Sequence, residues 1–259
     1  LPASTNPRVP QRVRNELRFR HIQVESKTQI AGHFWRIRFS GSDLAGFTSP
    51  GFDDHIKVFF PTAEGTELAL PQITDGAIVW PEGERPPARD YTPLEFDGAS
   101  LTLDFYIHQQ GVASDWATQA KPGDRLVIGG PRGSLVVPTD YAFQLYVCDE
   151  TGLPAFSRRQ RDARAQALHL YAFTDEATGR DYLPDTTGVT LNWLGSGQMQ
   201  TAQLSQLIAR LDQVTFPAED YFIWLTGEGE FVKALCDYFT MQRGINSDFV
   251  RAVAYWHQK

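Results

Sequence analysis

At 259 residues the chain can bury one large hydrophobic core or two smaller ones, and it holds no apolar run long enough to span a bilayer. Acidic side chains outnumber basic ones by 31 to 24, and this net charge of −7 argues against a general nucleic-acid binder, as does the lack of any recognition module. Cys148 and Cys236 are too few for a disulfide scaffold and read as reduced, buried thiols of a cytoplasmic chain.

The N-terminus carries Arg8, Arg12, Arg14, Arg18 and Arg20 with no apolar core behind them. That pattern is not a secretory signal, and residues 1–16 are expected to form a flexible, solvated basic arm. Short alternating stretches follow at Leu17–Val24, Phe34–Phe39, His55–Phe60, Leu101–Ile107 and Arg125–Ile128, broken by Gly, Pro and Asp. They predict an antiparallel β-barrel over residues 17–138. The Pro- and Gly-rich segment Thr62–Ala88 reads as a connecting loop within it. After Pro138-Thr139-Asp140 the texture changes. Apolar strands at Ala142–Cys148, Ala167–Phe173, Val189–Leu194, Tyr221–Leu225 and Phe249–Tyr255 alternate with helical patterns at Gly152–Arg164, Thr201–Leu211 and Phe231–Gln242. Such alternation predicts an α/β, doubly wound parallel sheet over residues 139–259.

The most informative stretch begins at Arg89-Asp90-Tyr91-Thr92 and ends at Gly130-Pro131-Arg132-Gly133-Ser134. Between them lie a strand, a small-residue turn opening a short helix, a Gly-Asp turn and a second apolar strand. A flavin needs these parts. Arg89 can meet a phosphate, Tyr91 offers a flat amphipathic ring to the isoalloxazine, and Thr92 can hydrogen-bond the ring edge. The amides around Gly111, Ala113 and Ser114 suit a pyrophosphate at a helix N-terminus, with His108 just before them. Trp116 reads as packing.

In the second half, ligands of an open parallel sheet sit beyond the carboxyl ends of the strands, where the strand order reverses. Asp149 and Thr151 lie at the first such end and can meet ribose or adenine groups. There is no G-x-G-x-x-G. The loops after Phe173 and Leu194, Thr174-Asp175-Glu176 and Gly195-Ser196-Gly197-Gln198, are acidic or neutral, with only Arg180 near. A 2′-phosphate would want cations there, so the expected donor is NADH or a reduced ferredoxin-type iron–sulfur protein.

These motifs, in this order, resemble the siderophore-interacting proteins, ferric-siderophore reductases of the ferredoxin-reductase superfamily. The resemblance runs from about Arg18 to the C-terminus. It rests on Asp53-Asp54-His55-Ile56-Lys57-Val58-Phe59-Phe60-Pro61, Arg89-Asp90-Tyr91-Thr92, Asp104 to Trp116, Gly123-Asp124-Arg125-Leu126 leading to the Gly130–Ser134 loop, Asp149-Glu150-Thr151-Gly152-Leu153-Pro154-Ala155, and Ala254-Tyr255-Trp256. It implies FAD rather than FMN, and the loop Thr226–Glu230 near flavin and nicotinamide. The chain departs from the family pattern in four places. Leu94 stands where an Arg is frequent, Asp90 brings a negative charge into the motif, Val112 replaces a Pro, and Asp115 replaces a common Arg.

The implied activity is reduction of Fe(III) in a siderophore. Hard anionic oxygen ligands hold ferrous iron far less tightly than ferric iron, so reduction releases the metal. The flavin carries the redox work, and no side chain is assigned as nucleophile or general acid. A bulky, commonly negative substrate needs cations, and the candidates are Lys57, Arg132 and the terminal Lys259. Tyr255 and Trp256 either cover the flavin or pack in the core. The six histidines show no ligand spacing, so no resident metal site is expected. Two other activities compete: a flavin or ferredoxin/flavodoxin reductase, and a ferric-siderophore binder without turnover. The default is a monomer with no membrane insertion.

Overall fold

The computed structural model describes residues 8–61, 68–83, 85–108 and 110–259. Contacts divide the chain into two compact units. One is Arg12–Val136, and the other is Val137–Lys259 together with the N-terminal segment through Gln11.

The first unit contains β1 (Gln11–Arg14), β2 (Phe19–Ile30), β3 (Phe34–Ser40), β4 (Ile56–Phe59), β5 (Gln72–Thr74), β6 (Ala77–Val79), β7 (Ala88–Tyr91), β8 (Glu95–Phe96) and β9 (Ser100–Tyr106), then helix α1 (Val112–Gln119), β10 (Arg125–Gly129) and β11 (Gly133–Val136). Seven of these strands form one antiparallel sheet in the order β7-β4-β10-β2-β3-β9-β8, curled into a half-barrel. Every second side chain turns inward, because the pleat has a period of two. Ile22 and Val24 of β2, Ile37 and Phe39 of β3, Ile56 and Val58 of β4, and Leu101, Leu103 and Phe105 of β9 therefore share one core. Helix α1 joins it through Ala113 and Ala117.

Two segments differ from the expectation drawn from sequence. The N-terminal residues are not a free arm where they are described. β1 pairs with β11, and the Arg8 guanidinium bonds Asp220 at 2.8 Å and also Asp140. The connecting loop, of which residues 62–67 and 84 lie outside the described residues, contains the two-stranded ribbon β5–β6. Asp75 and Gly76 turn it with φ of 51° and 77°, the left-handed pair that matches the twist of a tight hairpin.

The second unit runs β12 (Phe143–Asp149), α2 (Leu153–Asp162), β13 (Ala167–Phe173), α3 (Glu176–Tyr182), β14 (Val189–Trp193), α4 (Thr201–Leu211), β15 (Tyr221–Glu228), α5 (Gly229–Asp237) and β16 (Val250–Trp256). Its five strands are all parallel in the order β14-β13-β12-β15-β16, so the winding reverses at β12. Alternate residues of β12 and β15 face opposite sides. Phe143, Leu145, Val147, Ile223 and Leu225 pack in a cluster with Leu207 and Leu211 of α4 and Phe231 and Leu235 of α5. Tyr146, Phe222 and Trp224 face the other way, with Phe156 of α2. Arg159 of α2 is buried on that side, its guanidinium donating to the Tyr146 hydroxyl at 2.7 Å and to the carbonyls of Val137 and Pro138.

Helix α3 is absent from the expectation. It is only seven residues long and has Gly179 at its centre, which removes the propensity signal. The glycine is there for space, since an added Cβ would lie 2.1 Å from the Trp193 ring. Helix α5 starts two residues earlier than its apolar pattern because the Glu228 carboxylate caps it, accepting from Phe231 N–H at 2.8 Å and Glu230 N–H at 3.2 Å.

Candidate functional site

In the first unit the motif strand β7 is a sheet edge, paired on one side with β4. Tyr91 is partly buried, its ring 4.5 Å from that of the fully buried Phe105. Burial pushes the Tyr91 phenol well above its ordinary value, and nearby Arg89 pulls the other way, so the ring stays neutral. Thr92 is buried directly after it. Arg89 is exposed, and its guanidinium donates to the adjacent Ala88 carbonyl at 2.8 Å. No carboxylate pairs with it among the described residues.

Aromatic contacts tie this strand to the start of α1. Trp116 lies 6.0 Å from Phe105 and stacks on Phe39 at 6.2 Å, so its part is packing. That packing seats α1 on the core, with Val112, Ala113 and Ala117 in the same cluster. Gly111 precedes the helix with no side-chain cap, and a Cβ there would meet nothing within 4 Å. The first-turn amides of α1, with Ala113 buried and Ser114 partly so, are therefore open to an anion. His108 is exposed, its ring 5.0 Å from Tyr106. A helix start without a side-chain cap, an exposed guanidinium and a half-buried aromatic ring suit a flavin dinucleotide.

The three proposed cations have different surroundings. Lys57 on β4 donates to Asp90 Oδ1 on β7 at 2.9 Å, a cross-strand ion pair. Asp90, the charged departure within the motif, is thus spent on Lys57. Arg132 is exposed at the tip of a firmly held loop. Asn15 N–H donates to its carbonyl at 3.1 Å, and Ser134 Oγ donates to the buried Asp54 at 2.7 Å. The same Asp54 oxygen accepts from Ser49 Oγ and Gly51 N–H. Lys259 is exposed at the chain end.

In the second unit Asp149 and Glu228 end β12 and β15, at the point where the winding reverses. Asp149 is buried and committed within the chain. Its Oδ1 accepts from Thr151 N–H at 2.9 Å and from the Thr151 hydroxyl, and its Oδ2 accepts from Trp256 Nε1 at 2.6 Å. Burial raises its carboxyl above the usual range, opposed by Thr151 and Trp256. Glu150 is likewise raised by burial, while Ser196 Oγ donates to it. Burial also acts on Glu228, but the amides of Phe231, Glu230 and Gln258 and the nearby His257 hold it below its ordinary value. Asp149 and Thr151 thus serve each other as a cap at the entry to α2, and Pro154 removes one further donor from its first turn. The close fit has a steric reason. A Cβ on Gly152 would lie 2.6 Å from Cys148 Cβ and 2.8 Å from Thr226 Cγ2. Tyr255 packs edge-on against Trp224 at 6.4 Å. The Trp256–Asp149 contact has no local sign in the sequence, since 107 residues separate the partners and the parallel pairings of β12 with β15 and of β15 with β16 bring them together.

Among the described residues, no three His, Cys, Asp or Glu side chains gather as metal ligands, and no helix is long and apolar enough to cross a membrane. Both cysteines are free, Cys148 fully buried and Cys236 partly so.

Two family models cover most of the chain, a siderophore-interacting FAD-binding domain over residues 23–135 and a siderophore-interacting protein domain over residues 141–259. An NADPH-dependent ferric-chelate reductase of Escherichia coli is 49% identical over 99% of this chain and 100% of its own length. A ferric vibriobactin reductase of Vibrio cholerae is 28% identical over 92% of this chain and 89% of its own. A siderophore utilization protein from T. fusca superimposes with a TM-score of 0.80 at 30% identity, covering 96% of each chain.

Proposed function

The chain belongs to the siderophore-interacting protein family and is an FAD-dependent ferric-chelate reductase, and from that premise we propose that it reduces Fe(III) held in a siderophore, oxidises NADPH and releases Fe(II). The observation that carries the flavin assignment is the uncapped start of α1, together with Arg89 and the half-buried Tyr91. In this reading Arg89 and the amides at Gly111, Ala113 and Ser114 hold the phosphates. Tyr91 and Thr92 orient the ring, and His108 lies at the rim. When bound, FAD supplies the exchange between a two-electron donor and a one-electron acceptor. The protein's part is to bind, orient and steer. Arg132 and Lys57 attract the chelate, and Lys259 adds charge at the chain end. No side chain needs to move a proton at the iron.

Two observations bear on the donor, and they point in opposite directions. The loops after β13 and β14 offer a 2′-phosphate only Arg180, which is paired with Glu176 at 2.9 Å; on charge alone this favours NADH or a reduced ferredoxin. The relative that is 49% identical over its full length is named NADPH-dependent. The second observation weighs more, because an exposed ion pair of this kind is worth only about 0–1 kcal/mol and yields readily to a phosphate.

One experiment tests the whole reading. Purified protein, loaded with FAD and reduced without oxygen, is mixed with ferric hydroxamate and ferric catecholate chelates under a ferrous trap. Reoxidation should follow chelate addition, with about two Fe(II) formed per NADPH, as electron balance requires. In steady state, kcat/KM for NADPH should exceed that for NADH by roughly tenfold, a difference of about 1.4 kcal/mol. A reduced flavin that persists over a broad chelate panel would mean a binder without turnover. Rapid NADPH oxidation indifferent to chelate would mean a general flavin reductase. Turnover with reduced ferredoxin but neither nicotinamide would overturn the donor assignment alone.

A further inference from the structure

We propose that Asp90 sets the charge preference of this reductase: by neutralising Lys57 it weakens the draw on anionic ferric chelates relative to neutral ones. The proposal rests on the reading of Lys57 and Arg132 as the chelate-facing cations. Lys57 and Asp90 are register partners on β4 and β7, and their ion pair of 2.9 Å leaves each side chain about half exposed, at 58% and 49%. Side chains alternate along a strand, so this pair lies on the face opposite to Ile56, Val58 and Tyr91, which turn toward the barrel core. On the other side of β4, β10 sets Gly129 opposite Lys57. The chain then passes through Gly130, which lies against the His55 carbonyl and Ile56 Cα, and reaches Arg132. The Arg132 loop therefore leaves the sheet next to the Lys57 position. Arg132 has no ion-pair partner among the described residues, whereas Lys57 has one built in.

An anionic chelate approaching this patch meets one uncompensated guanidinium and one ammonium already shared with a carboxylate. It must compete with Asp90 for Lys57 and is also repelled by it. Since the pair is exposed, solvent screens the effect, and the expected scale is several-fold. A neutral chelate meets neither the attraction nor the repulsion. Asp90 thus acts as a specificity determinant through charge, without touching the reacting atoms.

The test is Asp90→Asn, which preserves shape and removes the charge. With a ferric tris-catecholate trianion at low ionic strength, KM should fall roughly 3–10-fold with kcat unchanged. KM for a neutral ferric tris-hydroxamate should stay as in the wild type, and the catecholate gain should vanish at about 0.5 M salt, where screening is short-ranged. A Lys57→Ala/Arg132→Ala double variant separates the two levels of inference. If it leaves the catecholate KM untouched, these cations do not face the chelate and the proposal falls with that reading. If it raises the catecholate KM while Asp90→Asn lowers nothing, the role of Asp90 alone is refuted. An equal fall in KM for both chelates in Asp90→Asn would also refute it, since charge would not be the cause.

Discussion

Arg89→Ala should bind FAD about 10–100-fold more weakly than the wild type. A charge-assisted hydrogen bond to a phosphate is worth about 1.5–3 kcal/mol, and a 1.4 kcal/mol loss is tenfold in affinity. The side chain is exposed and donates to its neighbour's carbonyl, so its removal should leave folding stability nearly unchanged. Titrating apo-protein with FAD and following the flavin fluorescence measures the effect. Riboflavin has no phosphate and should bind both proteins alike. Arg89→Lys should recover only part of the loss, because a point charge replaces a planar fork. Equal FAD affinity in wild type and Arg89→Ala would remove Arg89 from the cofactor site.

Trp224→Ala should destabilise the second unit by about 3–5 kcal/mol, the range for deleting a large buried aromatic side chain. Trp224 is fully buried in β15, beside β12 at the centre of the sheet. Its neighbours cannot easily close the hole. Tyr146, 5.9 Å away, has its hydroxyl fixed between Gln144 Oε1 and Arg159 Nε, both at 2.7 Å. Gly152 marks how closely the entry to α2 already approaches, since a Cβ there would stand 3.2 Å from the indole. Urea denaturation followed by far-UV circular dichroism should show the shift, fitted as two transitions where the units unfold separately. A loss below about 1 kcal/mol would mean that the core repacks around the missing ring, contrary to the argument from pinned neighbours.

The parts of the fold legible in the sequence were those governed by local periodicity. Ala167–Phe173 and Thr201–Leu211 match their observed limits, because continuous apolar alternation or a 3.6-residue stripe marks both ends. Helix α3 was hidden by the glycine that Trp193 requires, a demand made by a residue fourteen positions later. The β5–β6 ribbon did have a local sign, Asp-Gly between isoleucines, but the surrounding prolines and glycines obscured it. The site divides in the same way. Residue types at Arg89, Tyr91 and Gly111 point to their chemistry through neighbours in sequence. The pairing of Lys57 with Asp90 depends on strand register across a 33-residue gap, and the commitment of Asp149 to Trp256 on a parallel sheet. Charge and type can be read from a sequence, but not whether a partner has already claimed the group.

The starts of α1 and α2 treat an anion differently. At α1 the N-cap Gly111 offers no side-chain acceptor, so the first amides keep their donors for an anion. At the entry to α2 the Asp149 carboxylate takes the Thr151 amide and a proline follows, so fewer donors are left for an anion. One start would therefore keep a resident anion, while the other would let a visiting one go.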